Sequence, residues 1–208
     1  MEAPEVCARS TRPSVRRKKG AIIAAVATTQ AAGGSVWFAD ETTLREFPPL
    51  RAAWARRGEQ AVVTLSGRNA RRVLHGALNV VTGELVRVVR EHNRGVDSAA
   101  LVAALAARTP AGRSLLVWDN APAHHMRLAQ ETAEAVGITI IPLPFRAPEL
   151  MPCEEVWREL KRVVAANRAY ADVDELAGRA VGWLDGCTPA DLIRIAGLHS
   201  SKFDWLST

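Results

Sequence analysis

Short apolar runs, each broken by turn residues, divide the chain into its elements. The run Ala21–Ala27 dissolves into Thr28, Thr29 and Gln30, which predicts a short helix that stops near Gly33 and Gly34. Residues 1–20 ahead of it are rich in charge and turn formers and read as a disordered basic tail. "SVWFAD" from Ser35 predicts a strand that ends on Asp40. "FPPLRAAWARRGEQ" from Phe47 is punctuated by proline and reads as a loop with at most one helical turn. β-Branched residues return in "AVVTLS" from Ala61 and "RVLHGALNVV" from Arg72. "VTGELVRVV" from Val81 adds a glycine turn and a return strand, so a hairpin is expected.

Beyond the hairpin, helical and strand patterns alternate. "DSAALVAALAART" from Asp97 predicts a helix capped by Asp97 or Ser98. "SLLVWD" from Ser114 is the next strand, and it too ends on an aspartate, Asp119. "MRLAQETAEAV" is a helix that stops at Gly137, and "ITIIPLP" is a buried strand ended by Pro142 and Pro144. "CEEVWRELKRVVAA" from Cys153 is the strongest amphipathic helix, with Val156, Leu160, Val163 and Val164 on one face. "DVDELAGRAVGWL" and "TPADLIRIAGL" predict two more, the last with Pro189 in its first turn. Antiparallel strands first and alternating units afterwards predict an α/β fold, a mixed sheet with helices on both faces. That is the order of a ribonuclease H-like fold. The expected division is a basic tail and short helix over 1–34 and one ribonuclease H-like domain over 35–208.

Composition changes this picture little. Hydrophobic content is 48% and charged content 24%, ordinary for a globular domain. A net charge of +5 points toward a polyanionic partner. Cys7, Cys153 and Cys187 are an odd number at no metal-ligand spacing, which fits a reduced, cytoplasmic location. Arg16, Arg17, Lys18 and Lys19 imitate a secretion signal, but the apolar run behind them is far short of a membrane span.

The two strand-end aspartates change it more. Ligands of open α/β sheets sit at the carboxyl ends of strands, so Asp40 and Asp119 meet at one rim if their strands are neighbours. Carboxylates forced together repel unless a cation lies between them, and carboxylate oxygens suit hard divalent ions. A third acid is on offer at the start of the strongest helix, as Glu154 or Glu155. Taken one at a time, each acid has a plain structural explanation: a strand-end aspartate caps a turn, and a first-turn glutamate complements the helix dipole.

At this point the chain resembles a known family. "FADETTL", "PPLRAAWARRG", "VWDNAPAHH" and "PELMPCEEVWRELK", in this order, resemble the catalytic domain of DDE transposases of the mariner superfamily, in its bacterial insertion-sequence branch. The resemblance covers about residues 36–208, and 34 residues separate Asp119 from Glu154, the spacing of that superfamily. It implies that Asp40, Asp119 and Glu154 are catalytic metal ligands for Mg²⁺, with Mn²⁺ as a substitute and two ions expected. Alignment on Pro152 selects Glu154 over Glu155. Met151 stands where the family usually has Asn, and Phe145-Arg146-Ala147 replaces its usual Tyr-Ser before Pro148. An Asn there would cap the helix; Met cannot, at a cost of about 1 kcal/mol.

The resemblance implies DNA as partner, both transposon ends and target, and a homo-oligomer on that DNA. Only 39 residues precede Asp40, and none reads as the helix-turn-helix region usual in the family, so a separate helix-turn-helix chain is a further expected partner. The alternatives are a silent remnant that binds DNA or a partner chain, and a ribonuclease H-like nuclease or resolvase. Asn120 and His124 are expected to support Asp119. Arg51, Trp54, Arg57, Arg158 and Lys161 are the expected DNA contacts, with Arg68, Arg71, Arg72 and Arg162 as further phosphate partners; Trp54 has the equal alternative of plugging the core edge. Glu41 follows Asp40 in a strand and so points to the other face, in a structural or solvated role.

Overall fold

The structure, a computed structural model, describes residues 12–65, 67–109, 113–119, 127–144 and 147–206. Its strands are β1 (Ser35–Arg45), β2 (Arg71–Asn79), β3 (Leu85–Arg90), β4 (Ser114–Trp118) and β5 (Ile138–Pro142). They form one sheet in the order β3-β2-β1-β4-β5. The first three are an antiparallel meander; β4 runs parallel to β1, and β5 parallel to β4. The hairpin turn between β2 and β3 is held by Asn79, whose Oδ1 accepts from the N–H groups of Val81 and Thr82 at 2.9 and 3.0 Å.

Among the described residues six α-helices cover this sheet: α1 (Arg12–Ala31), α2 (Gly95–Ala106), α3 (Arg127–Ala135), α4 (Cys153–Leu160), α5 (Val173–Gly186) and α6 (Pro189–Ala196). A π-helical segment, Lys161–Ala165, continues α4. Period-2 alternation along the strands divides the core between two faces. Val36 and Phe38 of β1, with Leu115 and Val117 of β4, pack against Ile22 and Val26 of α1, Val156 and Leu160 of α4, and Leu176 and Leu184 of α5. Trp37 and Ala39, with Leu116 and Trp118, pack against Leu101 and Leu105 of α2 and Ala133 of α3. The chain therefore has the expected ribonuclease H-like architecture, a mixed sheet with helices on both faces.

Four local expectations are corrected. Strand β1 does not end on Asp40; it runs on to Arg45, because Thr42 and Leu44 continue the buried alternation and pair with Leu74 and Arg72 of β2. The segment 61–65 is not a strand. It pairs with nothing and is largely exposed, and β-branched residues favour a strand only where a half-buried pleated surface exists to fit. Helix α1 begins at Arg12, well inside the expected disordered tail: Arg and Lys are good helix formers, and Ile22 and Val26 anchor the helix on the sheet. Helix α2 starts at Gly95, ahead of its expected caps. Asp97 lies in its first turn, where the carboxylate accepts from the Arg94 N–H at 3.0 Å. Among the described residues no helix is long and apolar enough to cross a membrane.

Candidate active site

The site follows from strand register. Ala39 of β1 lies opposite Trp118 of β4, so the next residues, Asp40 and Asp119, are neighbours across a parallel pair. Alternation then aims them. Asp40 follows the parity of Val36 and Phe38, and Asp119 that of Leu115 and Val117, so both are placed on the α4 face. Strand β4 ends at Trp118, which leaves Asp40 beside the point where its neighbour stops. The two aspartates reach one rim as expected, although only one of them closes a strand.

Helix α4 brings the third acid. Its start is tied to β1 by the buried Cys153, whose Sγ–H donates to the Phe38 carbonyl at 3.0 Å. One turn on, the buried Trp157 lies over Gly76, the β2 residue directly opposite Asp40. A Cβ at residue 76 would stand 2.6 Å from the Trp157 ring, so only glycine lets the helix lie this close. Glu154, between Cys153 and Trp157, is thereby carried to Asp40. No side chain caps α4, as expected from Met151; that residue instead buries itself in the core.

An open cleft of about 390 Å³ results, lined by Asp40, Glu41, Thr42, Arg51, Glu154, Trp157, Arg158 and Lys161. Burial raises the Asp40 carboxyl from 3.8 to about 7, helped by the charge of Glu41 and then by Asp119 and Glu154, against a hydrogen bond from the Glu41 backbone. Glu154 is also held above the usual carboxylate range, first by burial, with Glu149 and Asp119 adding to it and Lys202 and Arg158 opposing. Burial lowers the Lys161 ammonium, while Asp40 pulls it back up. The three carboxylates thus feel one another's charge.

Glu155 is engaged elsewhere. It pairs with Arg158 and, at 3.3 Å, with Lys202. Glu41 is neither free nor solvated: it points to the other sheet face as expected, where its Oε1 accepts from the Trp118 indole N–H at 3.0 Å and lies 3.5 Å from His75 Nδ1. The residue after one aspartate therefore holds the residue before the other, which fixes the relation between β1 and β4 at the rim.

Arg51, Arg158 and Lys161 line the cleft with Asp40 and Glu154; Asp119, Trp54 and Arg57 do not line it. Trp54 is fully exposed on the long loop, so it does not plug the core edge. Arg68 pairs with Glu46 at 2.7 Å, Arg72 takes both oxygens of Asp174 at 2.8 and 2.9 Å, and Arg162 takes both of Glu159. These three arginines have structural partners. Asn120 and His124 lie outside the described residues. Trp157, Gly76 and Cys153 were missed as site-building residues; an isolated glycine inside the β2 pattern was the one available signal of a close approach.

The donor set suits a hard divalent ion. All three side chains offer oxygen, and the penalty on ionised Asp40 is one that a bound cation removes. Among the described residues no three His, Cys, Asp or Glu side chains are gathered closely enough to hold an ion together. Mg²⁺ needs only one or two protein carboxylates, with the remaining positions left to water and phosphate oxygens.

Comparison with known proteins shows the family and the fold. An insertion element IS630 protein of 39 kDa from Shigella sonnei, described as uncharacterized, is 24% identical over 156 residues, 74% of this chain and 46% of that protein. The chain thus spans about half the length of this curated relative. Its fold is that of Mos1 transposase: the solved catalytic domain aligns over 100% of this chain and 97% of its own, with a TM-score of 0.63 at 12% identity. A Mos1 paired-end complex with the left transposon end aligns over 100% of this chain and 65% of that one, with a TM-score of 0.67 at 15% identity. A Mos1 paired-end complex with Mn aligns over 99% and 64%, with a TM-score of 0.69 at 13% identity. The family model described as DDE superfamily endonuclease matches residues 35–177, which include Asp40, Asp119 and Glu154, and the chain belongs to that family.

Proposed function

We propose that this chain is the catalytic domain of a DNA transposase, which cuts transposon ends and joins them to target DNA by metal-dependent phosphoryl transfer. The observation that carries the proposal is the cleft in which Asp40 and Glu154 stand with Arg51, Arg158 and Lys161. Asp40, Asp119 and Glu154 would hold divalent metal, Mg²⁺ or Mn²⁺, with two ions expected. When bound, the ions activate the attacking water or 3′-hydroxyl and stabilise charge on the leaving oxygen.

The remaining work falls to the protein's own side chains. Arg158 and Lys161 offset the phosphate charge of a strand laid along α4. Glu41 and Trp118 keep the two aspartates in register. Trp157 closes the floor of the cleft, and Glu155, drawn into its ion pairs, leaves Glu154 as the helix's contribution. Support also comes from Mos1, which has been solved in paired-end complexes with Mn and with Mg. The family match favours this activity over a resolvase or a silent remnant. Transposon-end and target DNA, a separate helix-turn-helix chain and a second copy of this chain are the partners that belong to the proposal.

The test is nicking of supercoiled DNA by the purified chain. Nicks are expected with Mg²⁺ or Mn²⁺ and none with Ca²⁺ or EDTA. Cleavage that survives EDTA, or none with Mg²⁺ and Mn²⁺, would overturn the proposal.

A further inference from the structure

We propose that Asn167 is the positioning residue that delivers Arg51 to the cleft, where the guanidinium meets a DNA backbone phosphate. This rests on the cleft being the DNA-cleaving site. Arg51 opens a long exposed loop; residues 51–62 have no strand or helix, and each is exposed. An arginine on such a segment has little to hold its side chain at one place. Its main chain, however, is gripped on both sides. The Arg51 N–H donates to Asn167 Oδ1 at 2.8 Å, and Asn167 Nδ2 donates to the Arg51 carbonyl at 2.9 Å. The Asn167 N–H donates in turn to the Pro49 carbonyl at 3.1 Å. One amide side chain thus takes the place of a neighbouring strand for Arg51.

Asn167 is itself in an uncommon conformation. At φ 55° it is the one non-glycine residue in the left-handed region among the described residues. Asparagine tolerates that region better than most side chains, and its short amide serves local backbone bonding. It stands just past the π-helical segment that Lys161 opens. The helix that carries Glu154, Arg158 and Lys161 therefore also fixes, through Asn167, where the loop presents Arg51. The three cleft cations are set by one element, although one of them belongs to another part of the chain.

The proposal predicts that loss of the Asn167 amide and loss of the Arg51 guanidinium have the same effect on DNA binding. Asn167→Gly is the informative variant, because glycine keeps the positive φ and removes only the clamp. Binding of a short random-sequence duplex to the full chain is titrated against salt in Ca²⁺, where no cleavage occurs. Arg51→Ala should reduce the slope of log affinity against log salt by about 0.9, the share of one phosphate contact. Asn167→Gly should reduce it by a similar amount, and the double variant by no more than either alone. Hydrogen exchange of peptides covering Arg51 should quicken in Asn167→Gly, with the melting temperature as a folding control. A wild-type slope or unchanged exchange in Asn167→Gly, beside a reduced slope in Arg51→Ala, would overturn the clamp and leave the proposed function standing. A wild-type slope in Arg51→Ala would overturn the phosphate contact. Failure of the wild-type chain to bind DNA at all would remove the proposed function with it.

Discussion

Asp40 is the residue on which chemistry and stability pull in opposite directions. Its carboxyl is raised to about 7, first by burial and then by Glu41, Asp119 and Glu154. A group whose folded value lies above its unfolded one stabilises the fold while protonated. That contribution is complete below about pH 4 and is lost as pH rises through about 7. Asp40→Asn cannot titrate, so it should melt close to wild type at pH 4 and several degrees above it at pH 8. Thermal melts of both proteins across that range check the sign. Equal melting temperatures at pH 8 would show that the carboxylate is not penalised in the folded chain. A higher melting temperature of the variant at pH 8, beside its expected loss of cleavage, would mark a residue kept for function at a cost in stability.

Among the elements, α4 and β2 decide how close the third acid comes to the first. Gly76 leaves room for the Trp157 ring, and Cys153 ties the helix to the Phe38 carbonyl. Gly76→Ala would put a methyl group into the space of that ring. Overpacking of this kind costs about 1–3 kcal/mol, and for a chain of this size each kcal/mol lowers Tm by roughly 2–4 °C. The same shift moves Glu154 relative to Asp40, so cleavage should fall by more than the melting curve accounts for. Unchanged melting and unchanged cleavage would show that the helix does not depend on that close approach. Helix α4 was legible in the sequence because its apolar spacing is strict. Its distance from the sheet was not, because that depends on one absent Cβ on a strand far away in the chain. The course of β1 past Asp40 was misread for a related reason: an acid in an apolar run looks like an end, while pairing with β2 carries the strand on to Arg45.

At the scale of the whole molecule, the order of elements was written in the sequence, and so were the two aspartates. Period-2 and period-3.6 patterns are local, and parallel pairing of β4 with β5 follows from the helix that connects them. What the sequence could not show was which basic residues face the cleft. Arg72 and Arg162 read like Arg158 in the chain, yet of the three only Arg158, itself paired with Glu155, lines the cleft. An ion-pair partner can come from a distant element, as Asp174 does for Arg72, so charge spacing alone does not sort surface from site. The clamp of Asn167 on Arg51, 116 residues away, is invisible for the same reason. The central claim is that Asp40, Asp119 and Glu154 act together on DNA, and the adjacent glutamates offer its most direct test. Successive helix residues are turned by about 100°, so Glu154 and Glu155 cannot serve the same site. With Mg²⁺, Glu154→Gln should nick supercoiled DNA at least about a hundredfold more slowly than wild type, while Glu155→Gln should keep most of the rate. A dead Glu155→Gln beside an active Glu154→Gln, or wild-type rates in both, would contradict the account.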